Sequence, residues 1–335
     1  MALKCFSNTR FTGRLDTELH LPALLLDDPE AAASLPGVSL LLECDGRRIL
    51  RLLVSYRGRP SPCYLYCYRK HSWNHRFRRP SAFHILTKSL ELQAAGIPTL
   101  QVWGAFRPRR QLLNGRSYLI AAEIEGVEEL PSTGRHVYQL HRWARLDRQL
   151  LSALAEAVAR LHNAGFTHGD LKARHVLVRR APAGHPPTLY FVDLEKTRRL
   201  SFVPPVVADA FAARDWIQLS ASLAWPADPR DPTGRRQARA LVEDYLGYRR
   251  LTDRRRRRIR SFVRLYSQSF RQGVPLLRNL LQVVLTRGKP TTTTEATLIL
   301  DPVGRGNQTT AAHPVRVSDT APGMEPSSAR TLDRY

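Results

Sequence analysis

Hydrophobic positions recur along this chain with two different periods. From residue 38 to 70 they alternate, and VSLLLEC, RRILRLLVSY and CYLYCYRK read as three strands. The first ends at the turn signal Asp45-Gly46 and the second at Arg57-Gly58-Arg59-Pro60, while the aromatic richness of the third suits a sheet. Residues 80–95 predict a helix that begins at Pro80-Ser81 and stops at Gly96. TLQVWGAF and SYLIAAEI predict two more strands, joined by the Arg-rich RPRRQLLNGR. The polar EIEGVEELPSTG then reads as a connection between lobes. Over residues 146–163 the period changes: Leu150, Leu151, Leu154, Val158 and Leu161 make one apolar stripe of a helix ended by Gly165. Residues 209–225 and 236–284 predict further helices. The expected division is an N-terminal extension over 1–37, a β-rich lobe over 38–126, a helical lobe over 127–287 and a disordered tail over 288–335. The tail (TTTTEAT, GRGNQTTAAH, APGMEPSSAR) is too polar to offset its ordering entropy.

Two stretches fit each other as halves of one phosphoryl-transfer site. LHNAGFTHGDLKARHVLV, residues 161–178, puts Asp170 on a tight loop after a helix, with Lys172 and His175 following. TLYFVDLEK, residues 188–196, ends a hydrophobic strand on Asp193. Phosphoryl transfer in kinase-like enzymes needs one carboxylate to orient the attacking hydroxyl. A second carboxylate holds the metal on the nucleotide phosphates, and a further side chain completes the metal site. Asp170, Asp193 and His175 are spaced for those three tasks.

Composition sharpens this in two respects. The 335 residues are 43% hydrophobic, enough for a sizeable core, and carry a formal charge of +23, which favours phosphate-rich partners. Cys5, Cys44, Cys63 and Cys67 lack the paired spacing of a zinc site and read as reduced thiols. Residues 1–20 alternate polar and apolar types, unlike a signal peptide, and no apolar run approaches the roughly 20 residues of a spanning helix. The run Arg254 to Arg258 with Arg260 reads as a solvated helix face or a nucleic-acid patch and, near the apolar VPLLRNLLQVVL at 274–285, also as a contact for an anionic membrane surface. The aromatic and basic YRKHSWNHRF is explained more cheaply as a strand and turn than as a nucleic-acid site.

HGDLKARHVLV with FVDLEKTRR resembles the bacterial lipopolysaccharide kinases, the InaA-type, heptose kinase and Kdo kinase group of the protein-kinase-like superfamily. YRKHSWNHRF is similar to that family's strand-three lysine segment, LELQAAGIPTLQVWGAF to the segment after its small-lobe helix, SYLIAAEIEG to its hinge and ARDWIQLSASL to a later helix. The resemblance covers roughly residues 40–280 and implies an α+β, bilobal protein-kinase-like fold with a small β-rich N-lobe and a larger helical C-lobe. It implies transfer of the γ-phosphoryl of ATP, with Mg²⁺, to a sugar hydroxyl of the lipopolysaccharide inner core or another lipid-linked sugar. The enzyme would be cytoplasmic, on the inner face of the inner membrane of a Gram-negative bacterium. Residue by residue, Lys70 would meet the nucleotide phosphates, Asp170 the acceptor hydroxyl and Lys172 the transferred group. Asp193 and His175 would hold the metal, and Asp215 would brace the catalytic loop. The turn at Gly46 occupies the place of the glycine-rich phosphate loop, Gly169 stands where Arg is usual, and Leu194-Glu195 replaces Phe-Gly. In the small-lobe helix Glu91 is the sole acid available to pair with Lys70. The same catalytic loop is similar to those of antibiotic kinases, which leaves a small-molecule phosphotransferase as an alternative, and a kinase fold without turnover as another.

Overall fold

A computed structural model describes residues 2–44, 46–69, 81–109, 115–130, 148–182, 185–223 and 232–271. Lys70, the segment 274–285 and the tail expected from residue 288 lie outside these residues.

The small lobe is built from β1 (Leu3–Ser7), β2 (Phe11–Asp16), β3 (Leu19–His20), the short helix α1 (Ala23–Asp27), β4 (Ser39–Cys44), β5 (Arg47–Tyr56), β6 (Arg59–Tyr68), α2 (Ser81–Ala94), β7 (Val102–Pro108) and β8 (Ser117–Ala122). Among the described residues its strands form one eight-stranded antiparallel sheet, β1-β2-β7-β8-β6-β5-β3, with β4 also on β5. Period-two alternation fixes which face is which. Leu50, Leu52, Val54 and Tyr56 of β5 are buried while Arg51, Leu53 and Ser55 face out, and Cys63, Leu65 and Cys67 of β6 join the buried face. All four cysteines are free thiols, and burial pushes the Cys63 thiol up to about 12.

The first 37 residues do not stand apart as an extension. β2 pairs with β7, and Phe11, Leu15, Leu19 and Leu25 close the core inside the sheet with Leu50, Leu65, Phe106 and Ile120. The alternation that argues against a signal peptide in residues 1–20 is the period of strands.

The large lobe holds β9 (Val127–Glu129), α3 (Arg148–Asn163), β10 (Phe166–Thr167), β11 (Val176–Arg179), β12 (Thr188–Phe191), β13 (Arg198–Arg199), α4 (Pro205–Ser222), α5 (Pro232–Tyr248) and α6 (Asp253–Arg271). The stripe expected on α3 is the buried one: Leu150, Leu151, Leu154, Val158 and Leu161 are all inside. Each such side chain removed from water contributes about 1.5–3 kcal/mol. Gly165, at φ +79°, takes the left-handed conformation that ends the helix and turns the chain into β10. A second core joins the lobes, running from Tyr68, Ile85 and Leu86 to Leu154, Leu171, Phe191 and Trp216.

The GIPT segment connects α2 to the far lobe. Gly96 caps the helix at φ +70°, the Pro98 carbonyl accepts from the Phe191 amide at 3.1 Å, and Thr99 Oγ1 donates to the Phe191 carbonyl at 2.6 Å. The arginine run on α6 is not simply solvated. Arg255 and Arg258 both clamp the fully buried carboxylate of Asp209 on α4, at 2.7 and 2.6 Å, and Arg260 pairs with Glu243 on α5. Arg254, Arg257 and Arg264 remain exposed along one side of the helix. Among the described residues no helix is long and apolar enough to cross a membrane.

Candidate active site

The loop after β10 is held by one buried carboxylate. Asp215, on α4, is fully inaccessible and accepts from Thr167 Oγ1 (2.6 Å), the His168 amide (2.6 Å), the Gly169 amide (2.8 Å) and His162 Nε2 (3.3 Å). Burial alone would raise its pKa, but these donors outweigh it and hold the group below the ordinary carboxylate value. His162 completes the network by accepting from Tyr245 at 2.7 Å through Nδ1, which requires the neutral ring with its proton on Nε2.

Two hydrogen bonds then sew this loop to the strand that ends at Asp193. His168 Nε2 donates to the Val192 carbonyl at 2.9 Å, and the Val192 amide donates to the His175 carbonyl at 3.0 Å. Gly169 is required at this crossing. Its φ is +78°, and a Cβ there would lie 2.5 Å from the Lys196 carbonyl oxygen. The Arg expected from kinase patterns cannot stand in that position.

Asp170 emerges with both oxygens engaged, Oδ1 by Lys172 Nζ at 3.1 Å and Oδ2 by Lys196 Nζ at 2.9 Å. Partial burial would raise its pKa, but the two ammonium groups bring it down to about 2. His175 lies between the backbone of Asp170 and the carboxylate of Asp193. Its Nδ1 donates to the Asp170 carbonyl at 2.7 Å, and its Nε2 lies 3.4 Å from Asp193 Oδ2. Burial lowers the His175 pKa, so the ring is neutral and the contact with Asp193 is not an ion pair. Nε2 carries a lone pair, met by Arg174 Nε at 3.2 Å. Asp193 holds its carboxylate at the end of β12 in a left-handed conformation, φ +61°.

Gly46 reaches the site through its neighbour. At φ +78° it lets its carbonyl accept from the Arg69 amide at 2.7 Å, and Arg47, the next residue, extends to within 3.8 Å of Asp193 Oδ2. The Arg47 guanidinium lies over the rings of Tyr66 and Tyr68, at 5.5 and 5.6 Å from their centroids. Glu91 is paired with Lys88 at 2.7 Å on its own helix. Arg47 and Lys196 are the two site residues that the sequence does not single out, because each acts through a contact across the fold.

A model of the lipopolysaccharide kinase (Kdo/WaaP) family matches residues 45–245, which contain the whole of this geometry. The chain belongs to that family. No curated protein sequence matches it. Similar solved structures include WaaP in complex with acyl carrier protein, 20% identical over 73% of this chain and 98% of that one, with a TM-score of 0.42. The BubR1 kinase domain is 12% identical over 60% of this chain and 52% of its own, TM-score 0.36. The Mycobacterium tuberculosis PknI kinase domain is 13% identical over 68% and 96%, TM-score 0.37. As a lipopolysaccharide kinase, built from a β-rich and a helical lobe, the protein transfers a phosphoryl group from ATP to a sugar hydroxyl of the lipopolysaccharide core. Family membership sets aside the small-molecule phosphotransferase and the inert binding module.

The residues also fit a divalent cation. A carboxylate oxygen and an imidazole lone pair lie 3.4 Å apart on rigid backbone, and the second ring nitrogen is held by a carbonyl that fixes the tautomer.

The buried histidines give this lobe a pH dependence. His162 and His175 have pKa values lowered by burial from 6.5, so the unfolded chain binds more protons just below that value. Their contribution to stability is complete above about pH 6.5 and is lost as the pH falls through the lowered folded values. Melting temperature should therefore fall between pH 7 and pH 5, and His162→Gln should flatten that slope. Parallel pH profiles for wild type and variant would show that His162 is not the titrating group.

Proposed function

We propose that Asp170 orients the acceptor hydroxyl, that Asp193 and His175 hold Mg²⁺ on the nucleotide, and that the acceptor is a heptose or Kdo of the inner core. The observation that carries this reading is His175, whose Nδ1 is held by the backbone carbonyl of Asp170 while its Nε2 lone pair lies 3.4 Å from the carboxylate of Asp193. With Mg²⁺ bound, these two side chains would supply one oxygen and one nitrogen ligand, and the ion would neutralise phosphate charge.

Asp170, with its pKa near 2, is a weak base, so its first task is to position. Lys172 is the partner free to leave: turned toward the transferred phosphoryl, it neutralises charge there and releases Oδ1 to accept from the sugar hydroxyl. Lys196 stays on Oδ2 and keeps the carboxylate oriented. As the new bond from the sugar oxygen to phosphorus forms and the bond to the nucleotide bridging oxygen breaks, the hydroxyl proton passes late to Asp170. Loss of the Lys172 contact raises the basicity of Asp170 at that moment. Lys70 would meet the nucleotide phosphates. Arg47, already beside Asp193, would exchange that carboxylate for phosphate when nucleotide and metal enter, a task otherwise given to a glycine-rich loop.

Asp170→Asn and Asp193→Asn should each reduce turnover by about 10³-fold or more without loss of fold. Asp193→Asn and Arg47→Met should weaken metal-dependent ATP binding, whereas Asp170→Asn should not. Calorimetric ATP titration with and without Mg²⁺, beside a phosphoryl-transfer assay, separates these effects. Near-normal turnover in either Asp variant contradicts the assignment.

The acceptor also bears on location. We place the enzyme in the cytoplasm at the inner face of the inner membrane, held by the exposed Arg254, Arg257 and Arg264 on α6. Each base near an anionic surface contributes about 1 kcal/mol, screened over a Debye length of about 8 Å. Reversing these three to Glu spares the arginines that serve Asp209, so the melting temperature should hold while binding to anionic vesicles is lost. Vesicle binding that ignores both the reversal and added salt contradicts this placement.

A further inference from the structure

The segment that leaves the active site carries, among the described residues, the most exposed aromatic side chain. Phe202 is wholly exposed, and Pro204, Pro205 and Val206 beside it are exposed too. One exposed apolar side chain is ordinary, but a cluster of them at a single turn forms a patch. The turn is firmly held. The Val203 amide donates to the Leu200 carbonyl at 3.1 Å, the Leu200 amide donates to the Gly165 carbonyl at 2.6 Å, and β13 pairs with β10, the strand that enters the catalytic loop. Phe202 therefore protrudes on fixed backbone and adds nothing to the core. The charge around it has one sign. No acid stands between Lys196 and Asp209, Arg198 and Arg199 are exposed, and Asp209 is buried against Arg255 and Arg258. Leu200, Val203 and Pro205 line one cavity with Arg250, Leu251 and Arg255, so the turn abuts the start of α6.

We propose that this turn enters the anionic leaflet of a phospholipid bilayer, with Phe202 as the inserted side chain and Arg198 and Arg199 as contacts for the headgroup phosphates. The inference rests on the reading of the acceptor as lipid-linked and of the enzyme as working at the membrane face; it adds the element that penetrates the surface. An apolar tip flanked by bases suits that boundary, because the ring leaves water among the acyl chains while the guanidinium groups stay at headgroup level. A second copy of the chain is a poorer occupant. The same arginines would meet each other across the contact, and one protruding turn falls well short of the roughly 1,200 Å² that a stable protein interface buries. The segment that ends in this turn opens at Lys196, the partner of Asp170 Oδ2. Anchoring the turn thus brings the catalytic loop close to the surface from which a lipid-linked sugar is presented.

Insertion can be read without turnover. The full chain carrying Phe202→Trp is mixed with phosphatidylcholine vesicles containing phosphatidylglycerol, and with phosphatidylcholine vesicles alone. Wild type supplies the background of the five native tryptophans. On the anionic vesicles the added emission should shift to the blue and be quenched by lipids brominated along their acyl chains; on phosphatidylcholine alone it should do neither. Phe202→Ser should weaken binding to the anionic vesicles by about tenfold or more. Its melting temperature and its turnover of a soluble, delipidated core fragment should match wild type, because the ring is outside the core and the site. Absence of acyl-chain quenching, or unchanged vesicle affinity in Phe202→Ser, overturns the proposal. So does equal quenching on uncharged vesicles, or a dimer that Phe202→Ser dissociates while lipid leaves the emission unchanged. The reversal of Arg254, Arg257 and Arg264 to Glu is scored separately. If it abolishes recruitment while the Phe202→Trp emission is not quenched, the role of α6 stands and the insertion falls. If no acceptor is phosphorylated at all, the kinase reading falls and the quenching still decides the insertion.

Discussion

The catalytic loop depends on a carboxylate that performs no chemistry. Asp215 lies wholly inside the protein, where an ionised group survives only if every oxygen is met by donors. The donors it finds are the amides of His168 and Gly169 and the hydroxyl of Thr167, so satisfying the charge and fixing the loop are the same event. Once that loop is fixed, His168 reaches Val192 and His175 reaches both Asp170 and Asp193. The geometry of the two working carboxylates follows from the burial of the third. Gly169 is the counterpart in backbone terms, since only a residue without Cβ passes under the Lys196 carbonyl.

Much of this was legible in the sequence because it is written locally. The α3 stripe, the alternation of β5 and β6, and the HGDLK and VDLEK segments each specify their own element by period, cap or turn. What stayed hidden depends on contacts distant along the chain. Arg47 follows an ordinary turn, and nothing around it says that its guanidinium approaches a carboxylate nearly 150 residues later, at Asp193. Lys196 sits within a motif already singled out, yet its role appears only when the loop at Gly169 crosses it. Residues 1–20 show strand alternation, but a strand pattern does not name its partner, and pairing with β7 is set by the sheet.

The high positive charge also divides once the fold is known. In α6, Arg255 and Arg258 neutralise Asp209 and so belong to the packing of the large lobe, while Arg254, Arg257 and Arg264 stay exposed and available to a partner. A sequence run of like charges therefore contains two populations with different physical consequences. Removing both arginines would leave the buried Asp209 carboxylate uncompensated, at a cost of about 3–5 kcal/mol, whereas exposed charges are worth little singly and act through their sum.

The central claim is that Asp215 holds the catalytic loop, and backbone amide exchange reads that directly. Hydrogen–deuterium exchange at His168 and Gly169, compared between wild type and Asp215→Asn, should show protection in the wild type. In the variant that protection should fall, with the amides of α3 unchanged. Equal protection at His168 and Gly169 in both proteins would contradict the account, because the loop would then be held by something other than the buried carboxylate.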